Sequence, residues 1–242
     1  MGVMAITVFS SLTKTDKVEA IDRVIEGSTP NQDFFLMVIL SILTATFGLI
    51  VDNVAVIIGS MLIAPILYPI LSLSLGIIIS DFKLIGRSLK TISKSIVLGV
   101  TASNIAALLF TTQIDSLGSS EIVSRAYPSL TYVIIAILAG FAASFALVKP
   151  QLNETLPGIA ISVAIIPPLA VTGIGVAKLN LSIISGSFLL FLVNLLGVIF
   201  ASMITFSLMN FYAQRSEAKK SVTKEDQKLK SQIKKAEKEA KK

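Results

Sequence analysis

The chain contains no cysteine, no histidine and no tryptophan. The first two absences remove disulfides, thiolate nucleophiles and imidazole metal ligands in one step, so no metal, no cofactor and no enzymatic role is expected. Charge is also scarce: 15% of residues are Asp, Glu, Lys or Arg against 53% hydrophobic, with a mean hydropathy of +0.82. In 242 residues that balance describes an all-α, polytopic integral membrane protein and not a soluble core. No signal peptide is expected, because 1–12 has no basic n-region and no small-residue cleavage pattern.

Six apolar runs are long enough to cross a bilayer: 34–51, 54–79, 92–112, 130–148, 156–177 and 183–212. Lysine and arginine orient them. With the N-terminus inside, 19 of the 21 basic residues fall on the cytoplasmic side and only Arg125 and Lys178 lie outside, so the positive-inside rule predicts a multi-pass cell-membrane protein with both termini cytoplasmic. The expected organisation is a cytoplasmic amphipathic segment at 1–30, a six-span domain at 31–213 and a basic cytoplasmic tail at 214–242.

Two of the runs are interrupted by proline. The second carries Pro65 and Pro69, and the fifth carries Pro167 and Pro168. Proline removes a backbone donor and clashes with the preceding turn, so each run is expected to be two half-helices. Freed backbone groups at membrane depth are tolerated only against protein or a wet cavity. A re-entrant reversal at Pro65 would put Lys83, Arg87, Lys90 and Lys94 outside, so the run is read as a broken helix that crosses. Three spans followed by three spans predict two inverted three-helix repeats, 31–113 and 128–213. Sliding the sequence by 102 places Pro65 on Pro167, Ser60 on Ser162 and Asp52 on Glu154, and a looser correspondence pairs Asn104 with Asn194.

The stretch Asp52-Asn53-Val54-Ala55-Val56-Ile57-Ile58-Gly59-Ser60-Met61-Leu62-Ile63-Ala64-Pro65, followed by Pro69, Ser74-Leu75-Gly76 and Asp81, resembles the signature of the prokaryotic hydrophobic family catalogued as domain of unknown function 389. Pro167 and Pro168 resemble the second half of the same pattern. The resemblance covers roughly 30–210, with Ser60 standing where the family commonly has Ala. It implies a six-span membrane protein with no established activity.

The spans contain no Asp, Glu, Lys, Arg or His away from their ends, so proton coupling through a mid-membrane ionisable group is disfavoured. A pathway would be lined by Ser60, Ser72, Ser74, Thr101, Asn104, Ser162, Thr172 and Asn194, with backbone groups at Pro65, Pro69, Pro167 and Pro168. Asn104 and Asn194 serve either as interhelical hydrogen bonds or as pathway lining. Asp52, Asn53, Asp81 and Glu154 sit at span ends, either as helix caps or as pathway mouths. Lys83 is placed to pair with Asp81. Gly173-Ile174-Gly175 lies within a span and predicts close helix packing, not a nucleotide loop. Ala136, Gly140 and Ser144 form one small-residue ridge, and Gly197 with Ala201 a second.

The tail from 215 onward holds 11 basic and 5 acidic residues, the whole net charge of +6. It is expected to lie near anionic lipid head groups. Leu229, Ile233, Ala236 and Ala240 give too weak a seam for more than a fraying helix or disorder. Val18, Ile21, Val24 and Ile25 predict an interfacial helix before Pro30.

Together these features predict a transporter or channel-like homo-oligomer in the lipid bilayer, moving a small solute or ion, with no nucleic-acid partner. The alternative is a non-transporting scaffold or sensor that acts through its tail. Because the chain lacks cysteine, single cysteines at Asp52, Arg87, Glu121, Glu154 and Lys178 should react with impermeant maleimides from alternating sides. Reaction of the position-87 cysteine from outside would overturn six crossings.

Overall fold

The computed structural model describes residues 13–110, 119–149, 152 and 165–239. Its described elements are helical throughout. They are α1 Lys14–Gly27, α2 Gln32–Ile50, α3 Val54–Ile63, α4 Leu67–Ile78, α5 Phe82–Phe110, α6 Ser120–Ala126, α7 Leu130–Val148, α8 Ile166–Ala177, α9 Leu181–Leu208, a 3-10 turn Phe211–Gln214, and α10 Arg215–Glu239. Four helices, α2, α5, α7 and α9, are long and apolar enough to span a membrane. The pair α3 and α4, bent by 51° at its break, makes a fifth candidate if the two are one span. At 1.5 Å per residue its 22 helical residues reach about 33 Å, a bilayer's hydrocarbon thickness. The first part of the fifth expected run, with Glu154 and Ser162, lies outside the described residues.

The half-helices form the centre. α8 is buried along 166–175 and α4 along most of 67–76, as all-round apolar helices must be. Each packs against both α5 and α9, while α2 packs on α3, α5 and α8, and α7 packs chiefly on α9. The long helices turn apolar side chains outward, including Leu36, Leu40, Leu108, Leu138, Leu196 and Phe200, a surface suited to lipid and not to water.

One corner geometry recurs three times. Asp52, Ser80 and Leu179 have φ of 53°, 54° and 51°. After each, the N–H of Asn53, Asp81 or Asn180 returns to the carbonyl of Gly48, Gly76 or Gly175 at 2.8, 2.9 and 3.0 Å. This is the Schellman closure. The same three residues cap the following helices: Asn53 accepts from the Val56 amide, Asp81 from the Lys83 and Leu84 amides, and Asn180 from the Ile183 amide. Glycine suits these corners: a Cβ on Gly76 would lie 3.2 Å from the Ile85 nitrogen and one on Gly175 3.1 Å from the Ile184 nitrogen, both tight contacts. The last two corners are related by a shift of 99, which carries Ser80 to Leu179 and Ile85 to Ile184. That shift sets Pro69 against Pro168, and Asn194 against Ser95, beside the slide of 102 and the pairing of Asn104 with Asn194.

Three further expectations change. α5 begins at Phe82, not near residue 92, because Asp81 caps it and its lysines lower hydropathy without lowering helix propensity. The tail is a docked helix and not a frayed segment: Ala218 and Val222 are buried, and α10 packs along α1. α1 in turn hides Ile21, Val24 and Ile25 against α4, α7 and α10, so its apolar face meets protein instead of lipid. Thr13 and Asp16 close a capping box at its start, and the Thr13 amide holds the Asp16 carboxyl below its usual range.

The two small-residue ridges meet each other. A Cβ on Gly140 would stand 2.8 Å from Val198 Cα and 2.9 Å from Ala201 Cβ, and one on Gly197 would stand 2.8 Å from Ala136 Cβ. A Cβ on Gly59 meets nothing within 4 Å. Gly140→Ala should therefore cost about 1–3 kcal/mol in detergent unfolding, while Gly59→Ala stays neutral or stabilises.

Candidate functional site

The prolines sit where a helix has no donor to lose. Pro69 lies in the first turn of α4, and Pro167 and Pro168 in the first turn of α8, whose leading amides have no intrahelical acceptor in any case. Pro65 stands in the break, where Ala64 is extended (φ −79°, ψ 124°) and the Pro65 carbonyl accepts from the Tyr68 amide at 3.3 Å. The last turn of α3 is braced from α2 by the Ser41 hydroxyl, which donates to the Ser60 carbonyl at 2.6 Å. Ser60 is fully buried, its own hydroxyl donating to the Ile57 carbonyl.

Around the half-helices lies a system of buried hydroxyls. Ser103 on α5 donates to the Ala170 carbonyl of α8 at 2.7 Å, and Thr46 of α2 lies 2.9 Å from the same Ser103 oxygen. Ser88 and Ser72 tie α5 to α4 at 2.9 Å, and Thr172 and Ser187 tie α8 to α9 at 2.9 Å. The Ser74 oxygen is 3.3 Å from the Ile199 carbonyl of α9. The contact is reciprocal under the shift of 99: Gly173 takes the place of Ser74, and a Cβ there would meet the Val100 carbonyl at 2.8 Å and the Ser103 side chain at 2.4 Å.

Of the expected lining, Ser60, Ser72, Ser74, Thr172 and Asn194 are buried in this interior. Thr101 is exposed on α5. Asn104 and Asn194 stand on α5 and α9, the two long helices that both half-helices touch. The Asn104 carboxamide oxygen is buried and has no hydrogen-bond partner. Ser88, Ser103, Ser187 and Thr46 were not foreseen as site residues. Their signal is the buried series Ser88, Thr91, Ser95, Gly99 and Ser103 on α5, a small residue every third or fourth position, which marks a close helix face.

The span-end residues act as fasteners. Asp52 accepts from the Ser120 hydroxyl at 3.1 Å and from the Glu121 amide at 3.1 Å, so it anchors the start of α6. Asn53 and Asp81 are caps, and Asp81 is 6% exposed. Lys83 pairs with Asp226 of α10 at 2.6 Å and not with Asp81. Arg87 completes that knot, donating to Asp226 at 3.1 Å, to the Ile25 carbonyl at 3.3 Å and to the Thr29 hydroxyl.

These elements define a multi-pass helical membrane protein. Residues 61–200 match the family model described as Domain of unknown function (DUF389), and the chain belongs to that family. It is 33% identical over 177 residues to an uncharacterised protein of Methanocaldococcus jannaschii, an alignment covering 73% of this chain and 54% of that protein. The chain thus spans about half the length of the curated relative it matches. No solved structure matches it.

Replacing an unpartnered acceptor by an apolar side chain of similar size removes a desolvation cost. Asn104→Leu should hold or raise thermal stability in detergent, whereas Ser103→Ala, which cuts ties to both Thr46 and Ala170, should lower it by about 1–3 kcal/mol.

Proposed function

We propose that the protein is a transporter or channel-like protein built of two inverted three-helix repeats, 31–113 and 128–213, that moves a small solute or ion past α4 and α8. The observation that carries this reading is the shared setting of the two half-helices: both begin in proline-bearing turns, both are buried, and both pack between the same long helices. Discontinuous helices at a repeat interface are where transporters place substrate, their free amide and carbonyl ends supplying the partial charges.

Within each half the helices are fastened internally, by Ser41 to Ser60 and Ser72 to Ser88 in the first, and by Thr172 to Ser187 in the second. Among the described residues of the bundle, hydroxyl ties between the halves run from Ser103 to Ala170 and from Ser74 to Ile199. Such a division suits two bodies that rock against each other around a fixed site. The available lining is hydroxyl, carboxamide and backbone, which suits a neutral polar solute or an ion held by dipoles. The packing of α1 on α10 supports termini on one face, and the lysine and arginine distribution supports a cytoplasmic one.

The docked tail favours a second reading, a scaffold or sensor working through α10. Purified protein in liposomes, tested with alkali cations, small anions and small polyols, separates the two. Transport predicts flux above protein-free vesicles for at least one class, lowered about tenfold by Asn104→Leu, the equivalent of one lost hydrogen bond, and retained after truncation behind Tyr212. No flux in any class would overturn it.

A further inference from the structure

Charge on α10 is divided by face. Glu217, Glu225 and Asp226 are all half-buried along the stripe that carries the buried Ala218 and Val222. Lys219, Lys220 and Lys224 are exposed on the opposite side, where they line a shallow groove with Ser216, Thr223 and Gln227. The inner acids are used: Asp226 is shared by Lys83 and Arg87, and Glu225 holds Lys228 at 2.6 Å. Lys220 meets Glu217 at 3.3 Å with its own side chain 71% exposed. Docking thus engages Asp226, while Glu217 and Glu225 are met by lysines of α10 itself, and Lys219, Lys220 and Lys224 stay turned outward.

The position of α10 selects what that face meets. Its first residue, Arg215, donates to the Ser80 carbonyl in the α4–α5 corner at 3.1 Å, which roots the helix at the end of a spanning pair. Phe82 and Tyr212, 84% and 61% exposed, flank this contact. Exposed aromatic rings beside the end of an apolar span mark headgroup level. A cationic helix rooted there starts beside a span end, where anionic headgroups attract lysines over about a Debye length.

We propose that the outward face of α10, centred on Lys219, Lys220 and Lys224, is a docking surface for the anionic phospholipid headgroups of the surrounding membrane. The proposal rests on the membrane setting and is independent of transport. Three lysines near an anionic surface multiply the occupancy of the apposed state by about a hundredfold.

The test uses the full chain in nanodiscs of phosphatidylcholine, alone or with phosphatidylglycerol. A Thr223→Cys variant carries an environment-sensitive fluorophore on the outward face, and a separate Asp22→Cys, Ser221→Cys pair reports docking by disulfide formation, since Ser221 donates to Asp22. Phosphatidylglycerol should shield the fluorophore, high salt should reverse this, and K219Q/K220Q/K224Q should abolish it while the disulfide still forms. An identical fluorophore signal in both lipids, a triple variant that responds like the parent, or equal shielding by inorganic phosphate in phosphatidylcholine would overturn the proposal.

Discussion

Hydrocarbon offers no partner to a free amide or carbonyl, and that constraint governs how this chain uses proline. A proline inside a continuous span removes one hydrogen bond and frees a carbonyl several kilocalories away from water. Here one helix stops at Ile63 and another starts at Leu67, and Pro69, like Pro167 and Pro168 of α8, occupies an opening turn whose amides have no intrahelical acceptor in any case. The consequence is a helix end buried in the bundle. It has to be wrapped by other helices, and this is why the half-helices are central while the unbroken spans face lipid.

Wrapping a buried helix end calls for short approach distances and polar contacts of modest reach, and serine with glycine meets both needs. The α5 face Ser88, Ser95, Gly99 and Ser103 lets α4 and α8 come close while keeping a hydroxyl available. Where one half presents Ser74 to a neighbouring carbonyl, the other presents Gly173 to the equivalent one. The first contact is a hydrogen bond and the second is bare steric fit, so the same geometry is held by different chemistry on the two sides.

How much of this was legible follows from range. Local rules found four of the six expected spans outright, the Pro65 break, the caps at Asn53 and Asp81, and the glycine ridges that face one another. Register is harder: matching Pro65 to Pro167 gives a slide of 102, and the Schellman corners at Ser80 and Leu179 a shift of 99. Two adjacent prolines in one half and two spaced ones in the other admit several alignments. Hydropathy hid the start of α5 because Lys83, Arg87, Lys90 and Lys94 lie on a helix whose other face is buried. The order of the tail was invisible because its partner, α1, lies some two hundred residues away in sequence, with Asp22 meeting Ser221. Ser162 and Glu154 fall outside the described residues.

The tail also bears on how freely the halves can move. Polar ties inside membranes average about 0.6 kcal/mol, so the pair Ser103 to Ala170 and Ser74 to Ile199 resists separation by only about 1 kcal/mol, and packing across the half-helices supplies the rest. α10 continues from α9, in the second half, yet its bonds run to the first: Arg215 to Ser80, and Asp226 to Lys83 and Arg87. It is therefore a strap across the two halves at one end of the bundle. A helix seated by one alanine, one valine and a shared carboxylate is a light fastening compared with a span, and its charged bonds weaken as salt rises. On the proposed transport reading, relative motion of the halves would be coupled to the ionic surroundings of this helix, with no need for a titratable group among the spans.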